Sequence, residues 1–381
     1  MLLFFISFFV VFGLANFYVA RRVWQGTEIL PRSFRISLTV LFIVSAASYP
    51  AARGLLSFNN FIYDLILGIG AVHFVNLLYA FLYVGLLDLI RFALRWKSHP
   101  FRSNRTSYLK LKGYLSLAGA VMIISLVVFG HFNTLNIKVK YADFELPGRT
   151  GGSQSYKILL FSDSHFSSLN SGKFLENLIQ KINEINPDII LMGGDVIDDK
   201  PSVLFRTNVT RISSEIHPPK GIYMCHGNHE YIVGISEAEK FLDTVNFNIL
   251  KDDYVIIDST FIIAGRDDSA KSRFTGLHRN SLKDVIAPAK DLKLPIILLD
   301  HQPFNLSEAA AEGVFFQFSG HTHNGQFFPI NLITNLIYEL SWGYKKIHNT
   351  HFYVTSGVGT WGPPIRIGSD SELIVLNLRF R

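Results

Sequence analysis

Cysteine is nearly absent: Cys225 stands alone among 381 residues. A disulfide within the chain is therefore excluded, and so is any metal site of the CxxC kind. A lone cysteine at the end of an apolar run reads as a small core residue. Charge is scarce as well. Asp, Glu, Lys and Arg make up 17% of the chain, against about 25% in ordinary soluble proteins, while hydrophobic residues reach 49%. Acidic residues are thinnest at the start: residues 1–155 carry 15 Lys and Arg against 5 Asp and Glu, and the remainder carries 21 against 25. The basic balance thus belongs to the first part. The second part lacks the cationic excess of a nucleic-acid-binding surface, which argues for no nucleic acid among its partners. Repeats and low-complexity tracts are missing too, so a solenoid is excluded.

What the first part has is long apolar runs. Met1–Ala20 is about long enough to span a bilayer as a helix. Arg21 and Arg22 follow it, the reverse of a secretory signal, whose charge precedes the apolar run. Ile36–Tyr49 is shorter and is expected to stop at Pro50. Leu65–Ile90 is a third run, with His73 and Asn76 about one turn apart inside it, and Leu111–Phe132 is a fourth. The two polar residues are expected to hydrogen-bond neighbouring helices. Basic residues crowd the first loop (Arg21, Arg22, Arg32, Arg35) and the third (Arg91, Arg95, Lys97, Arg102, Arg105, Lys110, Lys112). Positive residues in short loops mark the cytoplasmic side. The expectation is a four-span anchor over residues 1–135 in the lipid bilayer of an inner or plasma membrane. A second domain, residues 136–381, then lies outside the cytoplasm.

Inside that domain five apolar runs each end in metal-seeking side chains. The run from Lys157 ends at Asp163 and His165, and that from Asp188 at Asp195, with Asp198 beyond. The run from Gly221 ends at Asn228, His229 and Glu230, that from Pro295 at His301, and that from Val314 at His321 and His323. Short runs rich in Ile, Leu and Phe, closed by Gly or polar residues, read as buried strands. Open α/β sheets place ligands beyond the carboxyl ends of their strands, so one sheet edge can gather all of these side chains. Phe174, Leu175, Leu178, Ile179, Ile182 and Ile185 fall at helical spacing, and Asn186-Pro187 ends that helix. Helices are also expected over Ser202–Ile216, from a capping box at Ser236 and Glu239 through Val245, and over part of Ser281–Leu292 with Pro288 interrupting it. Asn136–Leu146 reads as a strand, Gly148–Ser155 as a loop, Tyr254–Ala264 as a hairpin about Ser259, and His351–Leu378 as two strands.

Carboxylates and imidazoles together suit Mn, Fe or Zn. Asp195 follows Gly193-Gly194, where missing side chains let a backbone and an ion approach, and it is the natural bridge between two ions. Two divalent ions about 4 Å apart would clamp a phosphoryl group and lower the pKa of a bound water. Asp-x-His or Gly-Asp alone is a common surface or turn feature; the joint occurrence of five such pieces, each at a strand end, points to one site.

Those pieces resemble the calcineurin-like metallophosphoesterase superfamily, in particular its membrane-associated bacterial phosphodiesterase branch: Asp163-x-His165, Gly194-Asp195-x-x-Asp198, Gly227-Asn228-His229-Glu230, His301-x-Pro303 and Gly320-His321-x-His323. The tail from Tyr353 to Arg366 is similar to that branch as well. The resemblance implies a two-sheet α/β sandwich and a binuclear centre. It places one metal on Asp163, His165, Asp195 and His323, and the second on Asp195, Asn228, His301 and His321. His229 matches the general acid, with Asp198 orienting it. Two positions depart from the branch: Asn324 stands where Gly is usual, and Ser164 replaces an apolar residue. The implied reaction is metal-dependent hydrolysis of a phosphate ester, leaning towards diesters. Because the anchor keeps the site near the bilayer, a phospholipid or lipid-linked phosphate is the first substrate to test. The rival reading is a non-catalytic membrane sensor that binds metal or a phosphorylated ligand. His226 matches no ligand position, His278, His348 and His351 read as surface or loop residues, and Arg366 as a phosphate contact or an ion-pair partner. Phe327–Leu340 could cap the site for an acyl chain, but its spacing reads as ordinary core.

Overall fold

The computed structural model describes residues 2–54, 61–95, 104–147 and 154–381, which form two compact units, Met1–Phe129 and Gly130–Arg381. The first is helical: α1 (Leu2–Gly26), α2 (Arg32–Gly54), α3 (Phe61–Arg95) and α4 (Arg105–Leu135), whose end runs into the second unit. All four are long and apolar enough to cross a membrane. The expected stop at Pro50 is overturned, since α2 continues to Gly54; a proline near the end of a membrane-length helix frees few backbone groups. His73 behaves as expected: Nε2 lies 2.8 Å from Asn16 Oδ1 and Nδ1 2.9 Å from Ser45 Oγ, which ties α1, α2 and α3 together. Lys97 and Arg102, part of the basic third loop, lie outside the described residues, as do residues 148–153 of the expected Gly-rich loop.

The second unit is an α/β fold with two six-stranded sheets. In chain order its elements are β1 (Lys138–Leu146), β2 (Gln154–Phe161), α5 (Lys173–Ile185), β3 (Ile189–Met192), α6 (Pro201–Leu204), α7 (Arg211–Glu215), β4 (Ile222–Met224), α8 (Asn228–Val233), α9 (Ile235–Thr244), β5 (Asn248–Ile249), β6 (Asp253–Ile257) and β7 (Phe261–Gly265). There follow α10 (Lys271–Thr275), α11 (Leu282–Lys290), β8 (Ile296–Leu299), α12 (Leu306–Ala311), β9 (Phe316–Ser319), α13 (Ile330–Ile337), β10 (Gly343–Ile347), β11 (Thr350–Val354) and β12 (Glu372–Phe380). The strand orders are β1-β12-β2-β3-β4-β5 and β10-β11-β9-β8-β7-β6.

Strand alternation builds the layers. Ile158 and Leu160 of β2 face Phe261, Ile297 and Phe318 in the core between the sheets. Leu159 and Phe161, on the other side of the same strand, meet Leu175, Leu178 and Ile182 of α5. On the far sheet Ile262 and Leu298 pack on Val285 and Ile286 of α11. Strands β2, β3 and β4 run parallel, and so do β7, β8 and β9. Parallel strands bring all their carboxyl ends to one edge, and the five predicted runs are among them.

Several local expectations give way. Ser202–Ile216 is not one helix but two short ones around a 3₁₀ turn, with Thr207 extended (φ −88°, ψ 167°); the β-branched Thr207, Val209 and Thr210 are poor helix formers. Gly234, at φ 116°, opens α9, and Ser236 makes no cap. Ser281 does cap α11 by accepting from Asp284 N, but that helix runs through Pro288 and ends two residues later. The segment read as core, Phe327–Leu340, is the largest reversal. Its helix α13 buries none of its residues, and Leu332, Ile333, Leu336 and Ile337 are exposed, Leu336 at 87%.

Candidate metal centre

The site is assembled by turns that ordinary residues avoid. Asp163, His165, Asp195, His321 and His323 all have positive φ, between 42° and 71°. Left-handed non-glycine residues cost on the order of 1 kcal/mol each and persist where surrounding contacts hold them. Here the two turns after β2 and β3 brace each other: Asp163 N donates to Gly194 O at 3.0 Å and His165 N to Asp195 O at 3.1 Å. The buried Glu230 carboxylate ties in a third, accepting from Gly227 N at 2.7 Å, Val196 N at 2.8 Å and Asp195 N at 3.1 Å. The sequence placed Glu230 among the metal-seeking side chains of its run, not as a brace for backbone turns. Its position three residues after Gly227 at a helix start is the capping-box spacing and was the available signal. Glycines allow the close approach. A Cβ on Gly227 would collide with the Asp195 carboxylate, and one on Gly320 with that of Asp163.

The predicted acid and imidazole ligands meet at this edge, and Asn228, the first residue of α8, has a buried Oδ1 with no hydrogen-bond partner among the described residues. Three overlapping groups have ligand atoms within 4.8 Å of one another: Asp163, His165 and His323; His165, Asp195 and His229; Asp195, His301 and His321. His323 Nε2 lies 3.3 Å from Asp163 Oδ1 and 3.0 Å from His165 Nε2. His301 Nε2 lies 3.1 Å from Asp195 Oδ2.

These donors fit a cation by their own chemistry. His301 Nδ1 donates to Gly193 O at 2.7 Å, which turns Nε2 towards Asp195. Neither His301 Nε2 nor Asn228 Oδ1 has an aligned hydrogen-bond partner, although both are buried. A buried lone pair without a donor is satisfied by a proton or a cation. Burial lowers the His301 pKa, but the Asp195 carboxylate outweighs it and raises it well above the usual range. Burial pushes His165 down to about 4 and His321 to about 3, so both offer neutral nitrogens. Burial raises Asp163 to about 6, with His301 opposing. Metal ligands must be deprotonated, so cation binding and proton release are coupled here.

Beside the cluster, His229 Nδ1 lies 2.6 Å from Asp198 Oδ1, and its backbone N–H donates to Asp195 Oδ1 at 2.8 Å. Burial disfavours its charge, but Asp195 and Asp198 more than compensate and raise its pKa to about 9. The exposed Trp361 ring stands 6.4 Å from the His229 ring, and Tyr338 stands 6.1 Å from His321. Sequence reasoning had singled out neither aromatic.

Other expectations resolve differently. Among the described residues Arg366 has no ion-pair partner. It is fully buried, and its guanidinium donates to Ser356 O at 2.6 Å, Gly357 O at 3.1 Å and Ser369 Oγ at 3.1 Å, with Nη2 3.4 Å from His323 Nδ1. His226 is buried behind the site against Asp267, at 3.1 Å. His351 belongs to strand β11, where it contacts Tyr344. Asn324 has φ 46°, a conformation open to Gly and Asn, which accounts for its standing where glycine is usual. Cys225 is buried and its thiol is pushed well up by burial, in keeping with a core role.

Comparison with known proteins agrees with this picture. The family described as calcineurin-like phosphoesterase matches residues 156–325. A Helicobacter pylori protein described as an uncharacterized metallophosphoesterase is 31% identical over 291 residues, which is 74% of this chain and 73% of its own length. A Campylobacter jejuni protein of the same description is 29% identical over 97% of this chain and 96% of its own. A Danio rerio protein named transmembrane protein with metallophosphoesterase domain is 28% identical over 67% of this chain, and the match takes in 60% of that protein.

Proposed function

This chain belongs to the calcineurin-like metallophosphoesterase family, and on that footing we propose that it is a binuclear, metal-dependent phosphodiesterase anchored in a membrane. Metal-dependent phosphoester hydrolysis is the family's chemistry; the ion count and the diester preference are our reading. One ion is assigned to Asp163, His165, Asp195 and His323, and a second to Asp195, Asn228, His301 and His321. The observation that carries this is that two donor clusters, Asp163 with His165 and His323 and Asp195 with His301 and His321, are linked by a third through His165 and Asp195, while Asn228 Oδ1 and His301 Nε2 are buried without an aligned hydrogen bond. Divalent cations held there would polarise the phosphoryl oxygens and make a water nucleophilic at neutral pH. His229 keeps a proton at Nε2 and hands it to the leaving oxygen, while Asp198 fixes the ring through Nδ1 and favours its charged form. Asp195 also orients His229 through its backbone N–H.

A phospholipid or lipid-linked phosphodiester is the proposed substrate class. Its support is the membrane-length α4, which ends two residues before β1, together with the aromatic rim at the site. The domain is assigned to the side away from the cytoplasm on the positive loops. The test uses full-length protein in detergent. Elemental analysis is expected to find two divalent ions per chain, and aryl phosphodiesters and lipid phosphodiesters to be hydrolysed faster than aryl monoesters. A metal-free protein, or one that turns over none of these esters after reconstitution with Mn, Fe or Zn, would remove the proposal.

A further inference from the structure

Helix α13 has its amphipathic pattern turned outward. Leu332, Ile333, Leu336 and Ile337 share one face at spacings of one, three and four residues, and each is more than half exposed. On the opposite, polar side Asn331 and Thr334 are half-buried, and the exposed Asn335 accepts a hydrogen bond from Ser341 Oγ. A helix that served the core would be oriented the other way. No residue of α13 is charged, and Phe328 at its root is also exposed. Burying so little and exposing so much is unfavourable in water, so the face has an apolar partner.

Its position says which. Gly130, five residues before the end of the membrane-length α4, accepts a hydrogen bond from Arg366 N at 2.9 Å through its carbonyl, and Asn133 donates to Ser369 O at 2.8 Å. The same strip, Arg366–Ser369, carries the root of α13 on its other side: Phe328 N donates to Ile367 O at 2.6 Å and lies against Gly368. The exposed face therefore springs from the strip that receives the chain from α4. It also adjoins the candidate metal centre, because His323 precedes α13 by seven residues and Tyr338 after it stands beside His321. Trp361 and Trp342 are exposed around it, and indole rings favour the headgroup level of a bilayer. An exposed cation, Lys346, lies in the following strand β10.

We infer that α13 is an interfacial helix that seats at the headgroup–acyl boundary of the membrane, which puts the mouth of the candidate metal centre at the bilayer surface. This goes beyond the proposed reaction and does not depend on which ester is cleaved.

The test reads depth, not turnover. Leu336→Cys in the full-length protein is labelled with an environment-sensitive fluorophore; Cys225 is buried and does not compete. Lys283→Cys, exposed on α11, is the control. Both are placed in nanodiscs with lipids carrying a nitroxide near the headgroup. The expected result is a blue-shifted emission at position 336 that is quenched by the nitroxide lipid, with no quenching at position 283. Equal quenching at the two positions overturns the inference. So does a blue-shifted label at position 336 that the lipid does not quench, since a second protein copy then covers the face. Because no activity is read, failure of the lipid-ester proposal leaves this result standing, and the reverse also holds.

Discussion

His229 Nδ1 lies 2.6 Å from Asp198 Oδ1, so in the proposed reaction Nε2 is the ring nitrogen that would serve the leaving group. Removal of that ring should matter only where a leaving group needs a proton. His229→Ala is expected to slow hydrolysis of an alkyl diester by about 10²–10⁴-fold. A p-nitrophenyl diester, whose leaving anion is stable unprotonated, should lose far less. Steady-state rates with the two leaving groups check this, and equal losses would count against an acid role.

The same pair sets a pH dependence. A general acid works below its pKa, and the neighbouring carboxylates raise that of His229 to about 9. Bound cations oppose Asp195, so the alkaline limb of kcat/KM is expected below 9 in the metal-loaded enzyme. Asp198→Asn removes a second raising charge and moves the limb lower still. A pH profile of the two proteins on an alkyl diester measures the shift; a limb that stays in place would detach it from His229.

Metal and stability should be linked through Asp195. A ligand that binds only the folded state stabilises it by mass action, about 2.7 kcal/mol at a hundredfold excess over Kd. Added Mn²⁺ or Zn²⁺ is expected to raise the melting temperature of the chelator-treated protein, and Asp195→Asn to abolish most of that rise. Differential scanning fluorimetry with and without metal reads both.

Glycine at 227 is required by space. Gly227→Ala drives a methyl into the Asp195 carboxylate. We expect a folded protein, judged by circular dichroism, that retains less metal in elemental analysis. Full metal retention would show that the turn yields.

Arg366→Met removes a buried guanidinium that satisfies the carbonyls of Ser356, Gly357 and Gly359. Unmet buried acceptors cost about 1–3 kcal/mol each, so a loss of about 3 kcal/mol is expected from urea unfolding. Arg366→Lys should recover part of it, because an ammonium cannot reproduce the fork.

The strands beneath the centre were legible because each carries a short, mostly apolar run closed by polar residues, and parallel strands bring such closures together. The helix α5 was legible from its spacing for the same kind of reason: one face meets the sheet and the other meets water. Glu230 and Arg366 were not, because a buried charge is chosen by three-dimensional backbone groups that no local pattern reports. Nor was α13. Leu332, Ile333, Leu336 and Ile337 have the spacing of a core helix, and spacing says which residues share a face but not whether that face looks in or out.

Strand β12 lies between β1 and β2 and is hydrogen-bonded to both, in register from Lys138↔Glu372 to Leu146↔Phe380 on one side. The first strand after the apolar helices therefore waits, edge bare, through the synthesis of everything up to residue 380. A nascent domain of this kind cannot mature piecemeal behind the ribosome. Premature termination upstream of Glu372 should yield a target for quality-control proteases instead of a smaller working enzyme.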